Sequence, residues 1–367
     1  MRNLSILMIG GLVPWHPDAG GGQIVAYKLS EALGKKGLNI TYVAICPEHQ
    51  RKKVKWCNIK YLNNSKFFPQ LLKSFREEVK NYDLIHIHAG NETTGFYLGY
   101  ALRQIISRGK LIIGIYAPKV HKFPRSFSEA FLKISSRFAD AIFCLSEFSE
   151  NNISEAYRIS PLRIKVMYAG VDESFFNIEI ENKTIKNNFN LLFCGRLNGR
   201  EQKGVDILLN ALPLILKKHN VILNIIGSGV RLQEYRALAR RLGIDKQVRL
   251  LGFIEYEKLP KYYKEADLYV LPSRRESFGM TFAEAMASGL SVVSTNVTAI
   301  PEVVEDGETG ILVQPNNPQK FAEAVNYLLD NPERMKLMGL KGRERVKKYF
   351  TWEKVAERVI EFYKEIL

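Results

Sequence analysis

Two carboxylates stand eight positions apart, at Glu276 and Glu284, in the segment Arg274-Arg275-Glu276-Ser277-Phe278-Gly279-Met280-Thr281-Phe282-Ala283-Glu284. The preceding run, Asp267-Leu268-Tyr269-Val270-Leu271-Pro272, reads as a buried parallel strand closed by proline. Apolar residues at helical spacing follow Gly279. Glu276 is therefore expected in a strand-to-helix loop, and Glu284 about two turns into the helix. The first amides without an intrahelical partner fall from Ser277 to Thr281, where N–H groups and the helix dipole attract an anion. An acid beside an anion hole and a second further along suit a nucleotide sugar, with phosphate on the amides and hydroxyls on the carboxylates. The plainer alternative is a pair of solvated surface charges.

A second cluster lies in Leu191-Leu192-Phe193-Cys194-Gly195-Arg196-Leu197-Asn198-Gly199-Arg200-Glu201-Gln202-Lys203-Gly204. It reads as a strand, a glycine-punctuated loop and the start of a helix. Loops at the carboxyl ends of parallel strands face the ligand crevice, so Arg196 and Lys203 are placed to hold one pyrophosphate. The third cluster, Gly20-Gly21-Gly22 before a helix, permits close backbone approach to a ligand. It is expected to clasp the substrate from the opposite domain.

The elements that must carry these residues alternate. Strands are expected at Leu4–Ile9, Ile40–Cys46, Leu84–His88, Lys110–Ile115, Ala141–Leu145 and Ile164–Met167 in the first half. The second half continues with Asn190–Cys194, Val221–Ile226, Val248–Leu251, Leu268–Leu271, Ser291–Ser294 and Ile311–Val313. Amphipathic helices fall between them, among them Gln23–Leu33, Phe67–Val79, Val205–Lys217, Leu232–Leu242, Leu259–Lys264, Thr281–Ala287 and Gln319–Leu329. Such β-α alternation predicts doubly wound parallel sheets, an α/β fold. The polar stretch 179–188 reads as a linker. It divides an N-terminal Rossmann-like domain, 1–180, from a C-terminal one, 189–351. A terminal helix, 352–367, is expected to pack back onto the first.

The chain has 367 residues, 46% hydrophobic and 25% charged, an ordinary globular balance long enough for two domains. No apolar run approaches the roughly 20 residues of a transmembrane helix. The first residues read as a strand rather than a signal peptide, so a cytoplasmic protein is expected. Cys46, Cys57, Cys144 and Cys194 are scattered with no Cys-x-x-Cys pair, and three fall at or beside expected strands, which suits buried thiols without disulfides or a thiolate metal site. His86 and His88 share one face of a strand. Without a third ligand they predict no metal site; His88 can reach the cleft and His86 packs inside.

The net charge of +15 calls for an anionic partner. No nucleic-acid-binding motif is present, which leaves a phosphate-bearing substrate or an anionic membrane surface. Arg51-Lys52-Lys53-Val54-Lys55-Trp56 and Lys119-Val120-His121-Lys122-Phe123-Pro124-Arg125-Ser126-Phe127 mix cations with rings, as a headgroup surface would require. Solvated charge around core aromatics explains them equally well.

Taken together, these pieces resemble the retaining GT-B glycosyltransferases of family 4, also called group 1. The resemblance spans nearly the whole chain. It rests on Gly20-Gly21-Gly22, Ala169-Gly170-Val171-Asp172, Gly195-Arg196 with Lys203, and Ile226-Gly227-Ser228-Gly229. The Glu276-to-Glu284 element and Ile300-Pro301-Glu302-Val303-Val304 with Gly307 and Gly310 complete it. The resemblance implies that Arg196 and Lys203 hold the donor diphosphate, Glu284 the ribose hydroxyls, and Glu276 the transferred sugar. Gly21, Gly22, Gly227 and the run Ser277, Phe278, Gly279, Met280 and Thr281 complete the donor site. It also implies a UDP- or GDP-sugar as substrate, a glycan, lipid or small-molecule acceptor, no cofactor, and no essential divalent ion.

One departure stands out. Relatives carry a histidine beyond the fifth N-terminal strand, where this chain has Tyr116. His121 substitutes if its loop turns inward; otherwise it is a surface or acceptor-loop residue. His121, Tyr116 and His88 are thus the candidate sugar or acceptor contacts. Two other functions suit this architecture: a non-hydrolysing sugar-nucleotide epimerase, and a catalytically silent sugar-nucleotide-binding subunit. The first lacks a convincing set of proton-transfer groups; the intact Arg196, Lys203, Glu276 and Glu284 set argues against the second.

Overall fold

A computed structural model describes residues 4–16, 19–62, 78–90, 92–106, 108–116, 133–177, 188–197 and 202–367. The chain divides into two compact units, Met1–Gly170 with Trp352–Leu367, and Val171–Thr351.

Among the described residues, the first unit is built on seven parallel strands: β1 (Ser5–Leu12), β2 (Asn39–Ile45), β3 (Asn58–Leu62), β4 (Leu84–Ala89), β5 (Lys110–Ile115), β6 (Ala141–Cys144) and β7 (Ile164–Val166). Their order is β3-β2-β1-β4-β5-β6-β7. Strand β4 is buried along its whole length, as expected where helices cover both faces of a parallel sheet. Helices α1 (Gly21–Lys35), α2 (Glu92–Arg103) and α3 (Glu147–Tyr157) belong to this unit. Ile85, Ile87, Phe96, Ile113 and Ile153 share its core.

Among its described residues the second unit has six parallel strands: β8 (Phe189–Cys194), β9 (Val221–Ile226), β10 (Val248–Gly252), β11 (Leu268–Leu271), β12 (Val292–Thr295) and β13 (Gly310–Val313), in the order β10-β9-β8-β11-β12-β13. Its helices are α4 (Val205–Leu216), α5 (Leu232–Arg241), α6 (Leu259–Glu265), α7 (Met280–Ala287), α8 (Ile300–Val303), α9 (Pro318–Asp330) and α10 (Pro332–Tyr349). The terminal helix α11 (Trp352–Ile366) returns to the first unit. There Lys36 reaches Glu353 and Glu357 at 3.1 and 2.9 Å.

Strand order reverses between β1 and β4 in one sheet and between β8 and β11 in the other. Such switch points open a crevice at the carboxyl ends of the strands. The Gly20–Gly22 turn follows β1, Lys203 follows β8 and Glu276 follows β11.

Strand β3 and helices α2, α3, α8 and α10 were not among the expected elements. Edge strand β3 is short and half-buried. Helix α10 is largely polar, and two of its four buried residues are glycines, Gly339 and Gly342. A Cβ at Gly339 would lie 2.0 Å from the Gly289 carbonyl oxygen, and one at Gly342 3.0 Å from Met286 Cγ. These glycines let α10 lie hard against the end of α7, so close packing replaced the apolar stripe that would have marked it. The helix expected over Phe67–Val79 lies almost wholly outside the described residues, as do the 179–188 linker and His121. Among the described residues no helix is long and apolar enough to cross a membrane.

Candidate active site

The centre of the second unit's rim is a contact between residues 73 apart in sequence. Lys203 Nζ donates to Glu276 Oε1 at 2.6 Å. Ser273 Oγ donates to the same oxygen at 2.8 Å, and the Glu276 amide donates to Thr298 Oγ1 at 2.9 Å. Glu276 is therefore held from three sides and is only 8% exposed. The reading of it as a solvated surface charge fails.

Local backbone explains how Lys203 arrives there. Gly204 caps α4 in the left-handed region, at φ 65°. A Cβ at this position would sit 2.0 Å from the Pro272 carbonyl oxygen. Only glycine lets the start of α4 press against the end of β11 in that conformation. That approach puts Lys203 within reach of Glu276. Thr298 also has positive φ, 50°, unusual for a β-branched residue. Strain of roughly 1–3 kcal/mol persists where the surroundings impose it, and here the hydroxyl receives the Glu276 amide.

Arg196 is exposed two residues past β8. Between them sits Gly195, where an added Cβ would lie 3.6 Å from Lys203 Cδ, so the backbone beside Arg196 passes near the Lys203 stem. The Gly195 and Leu197 amides donate to Ile226 and Ser228 carbonyls at 3.0 and 2.9 Å. Gly227 is thereby set beside Gly195.

Helix α7 begins at Met280 after Gly279, which is left-handed at φ 87°. Amides of its first turn have no intrahelical acceptor. Ser277, Met280 and Thr281 are half-buried on this rim. The Phe278 ring instead points into the core and packs edge-on against Phe350 at 5.3 Å; only its backbone can serve an anion.

Glu284 comes in the second turn of α7 and is 2% exposed. Tyr263 OH donates to its Oε2 at 3.0 Å. Burial pushes the carboxyl up to about 7, against the pull of the Tyr263 and Tyr256 hydroxyls, and the Asp172 charge adds to the rise. Glu276 and Glu284 thus keep separate partners. Burial lifts the Cys194 thiol to about 12, and the thiol feels both Glu284 and Lys203. Sequence reasoning did not single out Ser273, Thr298, Tyr256 or Tyr263. A serine three residues before Glu276 was the one legible signal.

In the first unit, Gly20 caps α1, and its amide donates to Gln23 Oε1 at 3.0 Å. Gly21 is exposed. A Cβ at Gly22 would lie 3.5 Å from the Tyr116 ring. Tyr116 is turned inward, and its hydroxyl is hydrogen-bonded to His88 Nδ1. His88 stacks on His86 with ring centroids 4.0 Å apart, and His86 Nδ1 meets Tyr363 OH of α11 at 2.7 Å. Burial lowers His88 to about 3 and His86 well below its ordinary value, so both rings are neutral. Tyr116 and His88 spend these polar atoms on each other. Among the described residues no group of three or more His, Cys, Asp or Glu side chains could hold a metal ion.

Two family models match the sequence of this chain. The model for Glycosyltransferase Family 4 matches residues 19–175, and that for Glycosyl transferases group 1 matches residues 175–345. An uncharacterized glycosyltransferase of Methanocaldococcus jannaschii is 28% identical over 303 residues, 78% of this chain and 76% of the relative. The structure of sucrose-phosphate synthase from Thermosynechococcus elongatus superposes with a TM-score of 0.81 at 22% identity, covering 99% of both chains. Anabaena HepE, in complex with UDP and glucose, superposes with a TM-score of 0.79 at 19% identity over 99% of this chain and 100% of that one. The structural likenesses bear on the fold.

Proposed function

The chain belongs to the GT-B glycosyltransferases of group 1, and from that premise we propose that it moves a sugar from a UDP- or GDP-linked donor to a glycan, lipid or small-molecule acceptor with retention of anomeric configuration. The observation that carries the reading is the Lys203–Glu276 contact at the switch point of the second sheet. It sets a cation for a phosphate beside an acid for a sugar hydroxyl. The nucleotide sugar is a substrate, and no cofactor is proposed.

In this reading the bond between the anomeric carbon and the diphosphate oxygen breaks, and negative charge grows on the departing phosphate. Lys203, Arg196 and the first amides of α7 meet that charge; a fixed donor of this kind contributes about 3–4 kcal/mol to the transition state. The acceptor oxygen bonds to the same face of the sugar, and its proton passes to the departing phosphate oxygen. No protein base is needed for that step. Glu284 accepts the ribose hydroxyls and Glu276 a hydroxyl of the transferred sugar.

A thermal-shift panel of UDP, GDP and their common hexose conjugates tests the reading, with UDP first because it occupies the Anabaena neighbour. A ligand at 100 times its Kd stabilises the folded form by about 2.7 kcal/mol. Absence of any shift with every member would overturn the reading. Turnover of a donor without acceptor to an epimeric nucleotide sugar would favour the epimerase instead.

We further propose action at an anionic membrane face on the cytoplasmic side. Arg51, Lys52, Lys53 and Lys55 are exposed. Trp56 turns inward onto Tyr27 at 5.2 Å, and Lys52 lies 4.6 Å over the Trp15 ring. Attachment through this strip is therefore electrostatic, about 1 kcal/mol per cation near the surface. Co-sedimentation with phosphatidylserine vesicles should occur at low salt and vanish near 0.5 M. Equal binding to neutral vesicles would refute it.

A further inference from the structure

Two loops carry Lys203 and Glu276, and a second ion pair joins the start of α4, just after the first loop, to the second loop in the opposite sense. Arg274 Nη1 and Nη2 donate to the two carboxylate oxygens of Asp206 at 2.8 and 2.7 Å. Arg274 Nε donates to Asn316 Oδ1 at 2.6 Å, and the Arg274 amide donates to the Gln202 carbonyl at 2.7 Å. The loop into α4 thus presents a cation, Lys203, followed three residues later by an acid in the first turn of the helix, Asp206. The other presents a cation, Arg274, followed two residues later by an acid, Glu276. The result is two crossed rungs, Lys203–Glu276 and Asp206–Arg274, with a backbone bond beside them.

The rungs differ in what a substrate can do to them. Lys203 makes one contact from a flexible stem. Arg274 makes a planar two-point contact with Asp206, the stronger and more directional form. Its third donor anchors the chain just past β13. Burial alone would raise the Asp206 carboxyl, but the Arg274 bonds and charge hold it below its ordinary value. A phosphate that draws Lys203 towards itself therefore loosens one rung and leaves the other closed.

We propose that Arg274 and Asp206 are positioning residues that hold the Lys203 loop in register with Glu276 while Lys203 is engaged by the donor diphosphate. Neither touches the substrate; both act through Lys203. The inference rests on the functional reading above, and the test separates the two.

Arg274→Gln, Asp206→Asn, Lys203→Ala and the Lys203→Ala/Arg274→Gln double variant are compared with wild type. UDP and GDP binding is measured by calorimetry, and nucleotide release is followed from UDP-glucose, UDP-galactose, UDP-N-acetylglucosamine and GDP-mannose. Lys203→Ala should lower turnover roughly 100-fold or more. Arg274→Gln and Asp206→Asn should each lower kcat roughly 10- to 100-fold, as loss of alignment does, with a smaller change in KM. In the Lys203→Ala background, Arg274→Gln should add less than about threefold to the loss in nucleotide affinity and in turnover, because coupled residues are not additive. Asp206→Asn leaves the Asn316 bond in place and carries the test if Arg274→Gln does not fold. Losses that multiply, or wild-type kcat in Arg274→Gln or Asp206→Asn beside a crippled Lys203→Ala, would overturn the positioning role alone. Full activity in Lys203→Ala, or no nucleotide release by wild type from any donor, would remove the functional reading and this inference with it.

Discussion

Glu284→Gln should flatten the dependence of stability on pH and weaken the hold on nucleotide at the same time. The Glu284 carboxyl stands at about 7 in the folded protein against 4.5 ordinarily, because it is buried. Between those values the unfolded chain has released the proton while the folded chain keeps it. Stability therefore falls as pH rises through that window, by about 3 kcal/mol over the full span. Glutamine has no proton to lose. Whatever constant cost its amide adds, the stability of the variant relative to wild type should climb by about 3 kcal/mol from pH 4 to pH 8, as read from denaturant midpoints.

The binding side follows from the same residue. Ribose hydroxyls donate best to the ionised carboxylate, so nucleotide affinity of the wild type should rise with pH through about 7. Hydrogen bonds to charged groups contribute about 1.5–3 kcal/mol, and the variant should bind UDP or GDP roughly 10- to 100-fold more weakly at pH 8. A variant whose stability tracks wild type across the range, or that binds nucleotide undiminished, would refute the account. On the proposed reading, the ribose hydroxyls would add further donors to a buried acid that Tyr263 already meets.

Much of this was legible because strands announce themselves. Leu268–Leu271 and Val221–Ile226 are short apolar runs, and both appear as strands with the bounds their composition implied. Glycine and charge immediately after such runs fall on the carboxyl rim by the geometry of parallel sheets, which is why Lys203 and Glu276 were found. Their pairing was less legible, since nothing local connects residues 73 apart; Gly204 and the Pro272 carbonyl make that connection in three dimensions. The environment of Glu284 was hidden for a similar reason. Tyr263 lies 21 residues away and reads in sequence as an ordinary helical aromatic. The partner of Tyr116 was hidden in the same way: nothing near it in sequence announces that its hydroxyl is bonded to a histidine two strand positions past His86.

The pairing of Lys203 with Glu276 has an effect opposite to what loss of a site residue usually brings. The ammonium is neutralised by the carboxylate at 2.6 Å. A diphosphate must share Lys203 with that carboxylate and lie near its charge. Two like charges roughly 5 Å apart repel by about 3 kcal/mol at an effective dielectric of 20. Lys203 is 28% exposed, and solvent screening reduces the net term to about 1 kcal/mol. Glu276→Gln should therefore bind free UDP or GDP about fivefold more tightly than wild type. Sugar transfer should fall all the same, roughly 100-fold, because the acid proposed to hold the transferred sugar is gone. Lys203→Ala should weaken nucleotide and transfer together. Calorimetry on the two variants decides the matter. If Glu276→Gln binds free nucleotide more weakly than wild type, the acid supports the diphosphate directly, and its assignment to the sugar is wrong.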